Sequence, residues 1–183
     1  MADKLLFTPG PLTTSATVKE AMLRDTGSRD AEFIAAVREI RSGLLRVAGA
    51  SAGYECVLMQ GSGTFAIESV VSSAIPRDGR LLVLVNGAYG RRIAQMARIH
   101  GIAVQTAEIG ENRKFTPANL PSLEGFTHVA AIHCETTTGI VNPVAELGAA
   151  VKRAGACFIV DAMSSFGAIP LDVEAGGVDF MVS

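Results

Sequence analysis

The chain is organised around an apolar run that passes through a glycine-rich turn into a helical pattern: Val57-Leu58-Met59-Gln60-Gly61-Ser62-Gly63-Thr64-Phe65-Ala66-Ile67-Glu68. We predict a strand over residues 56–60 and a helix over residues 64–75. Such a turn leaves backbone N–H groups without partners at a helix N-terminus, where the macrodipole favours negative charge. The two glycines let the backbone approach an anion closely, and Ser62 and Thr64 add hydroxyl groups. The stretch outlines a phosphate site, although the same turn also occurs as plain architecture.

Downstream of this turn, apolar runs alternate with helical patterns. The runs at residues 81–85, 129–133 and 157–160 are continuous, which is typical of strands buried on both faces. Repeated strand–helix–strand units imply an α/β fold with a mostly parallel sheet and helices on both faces. The remaining predicted elements are strands over residues 102–108 and 178–182, and helices over residues 16–22, 31–47 and 144–154, with one more ending at residue 100.

Composition excludes several classes of protein. With 183 residues, 49% of them hydrophobic and 19% charged, the chain is globular rather than disordered. A net charge of −2 without a basic stripe argues against nucleic acid as the main partner. No apolar run reaches the ~18 residues of a membrane span, and the mixed-charge N-terminus does not resemble a signal peptide. We therefore expect a cytoplasmic protein without a membrane partner.

Cysteine and histidine are sparse and scattered. The three cysteines form no CxxC pair, and the three histidines show no metal-ligand spacing with them. We expect no metal site and no disulfide framework.

Four polar features follow predicted strands and should meet at one edge of the sheet, where open α/β sheets bind ligands. They are the turn at residues 62–64, Tyr89, the loop around Thr136, and Asp161. Tyr89 offers a flat face for stacking a planar ring. The Asp161 carboxylate could keep a pyridine nitrogen protonated, so that the ring withdraws electrons from a substrate carbanion. A phosphate cradle, an aromatic platform and a carboxylate in this order predict a pyridoxal phosphate site.

Each of these features also has a plainer interpretation. Tyr89 could be an aromatic at the rim of a cleft, the threonines could satisfy backbone groups of their loop, and Asp161 could cap a helix. A dinucleotide site fits the sequence less well. The run at residues 81–85 ends in Asn86, where such a site needs an acid for the ribose.

Five motifs are spread over the chain. They are Leu6-Phe7-Thr8-Pro9-Gly10-Pro11-Leu12-Thr13-Thr14, Gln60-Gly61-Ser62-Gly63-Thr64, Asn86-Gly87-Ala88-Tyr89-Gly90, His133-Cys134-Glu135-Thr136-Thr137-Thr138-Gly139 and Asp161-Ala162-Met163-Ser164-Ser165-Phe166-Gly167. Together these motifs resemble the class V aminotransferases of fold type I, and the resemblance covers essentially the whole chain. More narrowly, they resemble the branch of that family that transfers the amino group of 2-aminoethylphosphonate to pyruvate, giving phosphonoacetaldehyde and alanine.

The resemblance implies roles for individual residues. The turn would hold the cofactor phosphate, Tyr89 would stack on the pyridine ring, and Asp161 would pair with the ring nitrogen. Thr136 would contact the polar edge of the cofactor, and Gly10 would line the substrate pocket. The resemblance also implies a homodimer with active sites at the subunit interface. The residues assigned in this way to the cofactor are Ser62, Gly63, Thr64, Tyr89, Thr136 and Asp161.

One part of the family pattern has no counterpart in this sequence. The resemblance implies a Schiff-base lysine a few residues beyond the strand that ends near Ser183, and none of the chain's four lysines fits that motif. We expect an N-terminal arm at residues 1–30 and a truncated, partial cofactor-binding large domain at residues 31–183. The C-terminal small domain would be absent, the chain inactive by itself, and apolar surface exposed.

Two alternative functions stay open. One is an aminotransferase of the alanine–glyoxylate or serine–pyruvate type, although the threonine-rich loop and the run at residues 161–165 favour the phosphonate branch. The other is a non-catalytic α/β module that binds phosphate.

Overall fold

The computed structural model of the chain describes residues 4–8, 10 and 12–183, so Pro9 and Pro11 of the first motif lie outside the described residues. The helices are α1 (Ala16–Ala21), α2 (Ala31–Val47), α3 (Gly63–Ala74), α4 (Ala88–Ile99) and α5 (Val144–Arg153), with a 3-10 turn at Pro117–Asn119. The strands are β1 (Arg80–Val85), β2 (Ala103–Glu108), β3 (His128–Ile132), β4 (Cys134–Glu135), β5 (Ile140–Val141), β6 (Cys157–Asp161) and β7 (Phe180–Val182).

Five strands form a parallel sheet in the order β2-β1-β3-β6-β7. The chain steps from β1 outward to β2 and then crosses back over β1 to β3. The strand order therefore reverses between β1 and β3. In open α/β sheets the crevice at such a switch point, outside the carboxyl ends of the strands, is where ligands bind.

Apolar side chains fill both faces of this sheet. On one face, Leu81, Val83 and Val85 of β1 pack in the same cluster as side chains of α3 and α4. On the other face, Leu82 and Leu84 pack in a second cluster, together with side chains of α5. Since neighbouring residues of a strand point to opposite faces, a strand covered on both sides is apolar throughout. The predicted fold class, an α/β fold with a mostly parallel sheet and helices on both faces, is confirmed.

The predicted strand at residues 56–60 is wrong. These residues are extended but join no β-ladder among the described strands. Val57 is 72% exposed, and its neighbours Leu58 and Met59 are also exposed. A strand is defined by the hydrogen bonds of a partner strand. An apolar run without such a partner remains an irregular extended segment, even when its composition is that of a strand.

The N-terminal third of the chain contributes little to the core. None of the seventeen residues of α2, all of them described, is buried. We define the N-terminal apolar surface as the exposed large apolar side chains at residues 5–65. Its members are Leu5, Leu6, Phe7, Leu12, Val18, Met22, Leu23, Phe33, Ile34, Ile40, Val47, Val57, Leu58, Met59 and Phe65.

No helix within the described residues is long and apolar enough to cross a membrane. The same residues contain no cluster of three or more side chains that could hold a metal ion.

Candidate active site

A cleft of about 450 Å³ opens at the carboxyl edge of the parallel sheet. All seven residues that the sequence singled out line it: Gly10, Ser62, Gly63, Thr64, Tyr89, Thr136 and Asp161. Five further residues complete the lining, and none of them is a site residue predicted from the sequence: Ile67, Arg92, Ile93, Met96 and Met163. Segments that are far apart in sequence thus converge on one concave surface.

The first turn of α3 forms one wall of the cleft. Ser62 is the N-cap of this twelve-residue helix, and its Oγ accepts a hydrogen bond of 3.3 Å from the Phe65 amide. Among the described residues, the amides of Gly63 and Thr64 have no hydrogen-bond partner. Gly61 precedes them with a φ of +146°, a conformation that favours glycine. Two unpaired amides at a helix N-terminus and two adjacent hydroxyl groups are the donors that a phosphate needs.

A buried carboxylate holds the N-terminus of α4 in place. Glu135 is fully buried, and its Oε2 accepts a hydrogen bond of 3.3 Å from the Tyr89 amide. Its Oε1 accepts from the Thr137 amide at 3.3 Å and from Thr137 Oγ1 at 2.8 Å. A negative charge at this position also interacts favourably with the dipole of α4. Glu135 therefore ties the Tyr89 turn to the threonine-rich loop, which is the turn of the β4–β5 hairpin.

Gly87 makes this contact possible. A Cβ atom added at Gly87 would lie 2.6 Å from Glu135 Oε2 and closer still to the Cγ and Cδ atoms of the same side chain. The glycine is required because the carboxylate packs directly against the backbone, not because of an unusual φ.

Arg92 lies one helical turn after Tyr89 on α4. Its Cζ is 4.8 Å from the centroid of the Tyr89 ring, a cation–π distance. Its Nη1 donates a hydrogen bond of 3.3 Å to Thr64 Oγ1. Arg92 thus connects the aromatic platform to the anion site. The i,i+3 spacing from Tyr89 is a signal in the sequence that could have revealed it.

Asp161 is the last residue of β6, and only 8% of it is exposed. Its Oδ1 accepts a hydrogen bond of 3.0 Å from the Met163 amide. Among the described residues, Oδ2 has no hydrogen-bond partner. Burial raises the pKa of the Asp161 carboxyl above its ordinary value, and the charge of Glu135 acts in the same direction. The Met163 amide and the positive charge of Arg92 oppose that rise. A buried carboxylate in this condition gains from a cationic ligand in the cleft.

The loops around the cleft are tied to one another. Ser164 Oγ, from the loop after β6, donates a hydrogen bond of 2.6 Å to the Cys134 carbonyl oxygen. Buried His133 pairs its Nδ1 with Ser165 Oγ at 2.9 Å. These bonds attach the segment that carries Met163 to the hairpin that carries Thr136. They stiffen one side of the cleft.

A second buried pair of side chains links the end of β1 to the hairpin. The side chains of Asn86 and Asn142 exchange hydrogen bonds of 3.2 and 3.3 Å. Asn142 also donates to the Ile132 carbonyl oxygen, at the end of β3, over 2.8 Å. Sequence reasoning gave neither asparagine a role, because a turn asparagine is an ordinary finding.

The parallel sheet and the cleft at its switch point together define an α/β protein whose candidate site combines unpaired amides, an aromatic ring and a buried carboxylate. Residues 14–183 match the family model described as aminotransferase class-V, and the chain belongs to this family.

Named relatives place the chain more narrowly within the family. It is 50% identical over 183 residues to a 2-aminoethylphosphonate–pyruvate transaminase of Syntrophobacter fumaroxidans, an alignment that covers 98% of this chain and 49% of that protein. It is 47% identical to a protein of the same name from Pseudomonas putida strain GB-1, with 93% of this chain and 47% of that protein covered. The chain therefore spans about half the length of the curated relatives it matches.

Solved structures agree with this fold. The crystal structure of an alanine–glyoxylate aminotransferase from Nostoc sp. is similar, with a TM-score of 0.87 and 29% identity. The match covers 99% of this chain and 49% of that one.

Pyridoxal phosphate dependence is implied by the family, and the donor set of the cleft fits this cofactor. Unpaired amides and hydroxyl groups lie at the N-terminus of α3, where a phosphate would sit. Tyr89 lines the cleft, and the unpaired oxygen of Asp161 belongs to a buried carboxylate. All four lysines of the chain are described, all are exposed, and none lines the cleft.

Proposed function

We propose that this chain is the cofactor-binding part of a pyridoxal phosphate-dependent aminotransferase that moves the amino group of 2-aminoethylphosphonate to pyruvate. The products would be phosphonoacetaldehyde and alanine. The observation that carries the proposal is the convergence of an anion site, an aromatic ring and a buried carboxylate on one cleft. The choice of substrates is supported by the names of relatives that are 43–50% identical to this chain.

In this proposal each residue of the cleft has one task. The amides of Gly63 and Thr64 and the hydroxyl groups of Ser62 and Thr64 bind the cofactor phosphate. Tyr89 stacks against the pyridine ring and sets its plane. The Thr136 hydroxyl group binds the polar edge of the cofactor, and Gly10, which also lines the cleft, leaves space for the substrate.

Asp161 controls a proton. When bound, the cofactor supplies an electron sink that stabilises negative charge on the substrate carbon. Asp161 keeps a proton on the ring nitrogen, because a buried carboxylate strongly favours a cationic neighbour. Burial also excludes water from this carboxylate, which strengthens the interaction.

The lysines limit what the chain does by itself. Because none of them lines the cleft, we predict that the 183-residue chain binds pyridoxal phosphate without turning over substrate. The test incubates both the 183-residue chain and the full-length protein with cofactor, 2-aminoethylphosphonate and pyruvate, and measures alanine. The proposal predicts alanine from the full-length protein alone. Alanine formed by the 183-residue chain would contradict the requirement for a further lysine.

The main alternative differs in the amino donor. The similarity to the Nostoc alanine–glyoxylate aminotransferase keeps that reaction type as the second candidate. A panel of donors and acceptors given to the full-length protein separates the two. The proposal predicts a higher kcat/KM with 2-aminoethylphosphonate and pyruvate than with alanine or serine and glyoxylate. A protein that binds the cofactor but transfers no amino group would instead support a non-catalytic phosphate-binding role.

Assembly and location belong to the same proposal. We infer a homodimer for the full-length protein, and the N-terminal apolar surface supports an association of this kind because it leaves fifteen large apolar side chains exposed. The division into an arm at residues 1–30 and a large domain from residue 31 stays a prediction, as does the cytoplasmic location.

A further inference from the structure

Arg92 is the one cationic side chain among the described residues that line the cleft. Its position is defined by two contacts with different partners. The guanidinium carbon lies 4.8 Å from the centroid of the Tyr89 ring, and Nη1 donates a hydrogen bond of 3.3 Å to Thr64 Oγ1. An exposed arginine on a helix commonly pairs with an acidic side chain of the surface. Among the described residues, Arg92 makes no ion pair within 4 Å.

The neighbouring arginine shows the contrast. Arg91 is adjacent on α4 but does not line the cleft. Its Nη1 lies 2.8 Å from Glu111 Oε1, and its Nε lies 3.7 Å from Glu108 Oε2. Thus Arg91 has two carboxylate partners at the surface. Arg92, which lines the cleft, has no carboxylate partner among the described residues.

We propose that Arg92 is a binding residue for the cofactor phosphate, an inference that rests on the proposed function. Thr64 supplies the link, because its amide and hydroxyl groups belong to the anion site and its Oγ1 already accepts from Arg92. A guanidinium group next to two unpaired amides completes a donor set for a dianion, with charge-assisted hydrogen bonds from a planar fork. The same side chain braces the Tyr89 ring and so couples the phosphate to the aromatic platform.

The expected effect follows from the charge. A hydrogen bond between charged groups contributes more than a neutral one, so loss of the guanidinium should weaken binding of a phosphorylated ligand on the order of 10- to 100-fold. Pyridoxal has the same ring as pyridoxal phosphate but lacks the phosphate. Its affinity should change only through the stacking contact, by a few-fold at most.

The experiment measures the dissociation constants of pyridoxal phosphate and pyridoxal for the full-length protein and its Arg92→Gln, Arg92→Lys and Arg91→Gln variants. We expect Arg92→Gln to lose most of the wild-type preference for the phosphorylated ligand. Arg92→Lys should lose part of it, since the charge stays but the fork is lost. Arg91→Gln should keep the preference, because this residue lies outside the cleft. Urea unfolding of each variant checks that the fold is intact, and the lysine variant serves if the glutamine variant does not fold.

Three results would overturn the inference. Equal losses for both ligands in Arg92→Gln would mean that the arginine acts only through the Tyr89 ring. An unchanged preference, together with a raised KM for 2-aminoethylphosphonate, would mean that it binds the substrate phosphonate instead. A wild-type protein that does not distinguish the two ligands would overturn the phosphate site itself, and the proposed function with it.

Discussion

Asp161 illustrates how a residue can be positioned for a ligand although its position lowers the stability of the ligand-free protein. The carboxyl group is buried, and its pKa is raised mainly by that burial. The folded state therefore disfavours the charged form that prevails at neutral pH. Such an arrangement is common at functional sites, where stability and activity make opposite demands.

The first prediction separates those two demands at Asp161. In Asp161→Asn the charge is lost, but an oxygen remains that can accept from the Met163 amide. We expect the cofactor-free protein to be at least as stable as the wild type in urea at pH 7. We expect kcat of the full-length protein to fall about 10²–10³-fold, the usual effect of losing one preorganised electrostatic partner. Glu124→Gln, which removes an exposed carboxylate of the loop before β3, should change neither quantity.

A different outcome would reassign Asp161. If Asp161→Asn destabilised the fold by several kcal/mol while kcat stayed at the wild-type level, the carboxylate would be a structural cap and not a partner of the cofactor.

The second prediction concerns buried histidine. Burial lowers the pKa of His133, so the unfolded chain binds a proton at a higher pH than the folded chain does. The contribution of the neutral histidine to the free energy of unfolding is therefore complete above its unfolded pKa of about 6.5. It decreases as the pH falls below that value, by up to about 1.4 kcal/mol per pH unit for each such histidine. The urea concentration at the midpoint of unfolding should decrease as the pH is lowered from 7.5 to 6. The decrease should be smaller in His133→Asn. His128 contributes in the same direction, because its pKa is also lowered by burial. Identical slopes for wild type and variant would contradict the assignment to His133.

At the scale of elements, the site depends on how the ends of neighbouring strands are linked. Glu135 joins the start of α4 to the hairpin after β3, and Ser164 and Ser165 join the loop after β6 to the same hairpin. A change in any of these connections should therefore affect the cleft as a whole.

The third prediction tests this link at Gly87. Gly87→Ala places a methyl group against the Glu135 carboxyl, so either the carboxylate or the first turn of α4 must move. We expect a loss of about 1–3 kcal/mol in the free energy of unfolding, as for other overpacked sites. Gly43→Ala is the matched control, because a Cβ there meets nothing closer than 3.8 Å within α2. Alanine in a helix interior should stabilise by up to about 1 kcal/mol. A Gly87→Ala variant as stable as the control would show that the carboxylate does not constrain the helix.

The elements also show what the sequence could predict. Continuous apolar runs predicted the central strands because β1, β3 and β6 are covered on both faces. Six of the seven candidate residues could be placed at one edge of the sheet because each lies just after a strand or at the start of a helix, whereas Gly10 came from the family resemblance alone. The strand at residues 56–60 could not be excluded, since composition does not reveal whether a partner strand exists. Glu135 was missed because it contacts Tyr89, 46 positions earlier in the chain. Arg92 was missed because its hydrogen-bond partner Thr64 lies 28 positions earlier.

For the molecule as a whole, the two ends of the chain differ in how they are packed. From α3 onward the sheet and its helices enclose two apolar clusters. Before α3, apolar side chains are exposed, with Phe7 at 92% and Leu23 at 86%. Many large apolar side chains left exposed on a globular domain indicate a surface that associates with another surface.

The fourth prediction concerns the N-terminal apolar surface. The 183-residue chain, purified by itself, should form oligomers or bind an apolar dye at micromolar concentration. Leu23→Ser should reduce both signals, whereas Ile99→Ser, a change at an exposed residue outside the N-terminal apolar surface, should not. Light scattering coupled to gel filtration gives the mass. A monomer that binds no dye would contradict the prediction that the N-terminal apolar surface associates with another surface.

The most direct test of the account is a crystal structure of the protein with pyridoxal phosphate bound. The account predicts phosphate oxygens within about 3 Å of the Gly63 and Thr64 amide nitrogens, the distance of a hydrogen bond. It also predicts the pyridine ring against Tyr89, with its nitrogen facing Asp161. A cofactor bound elsewhere, or one with its phosphate turned away from the N-terminus of α3, would contradict the central claim.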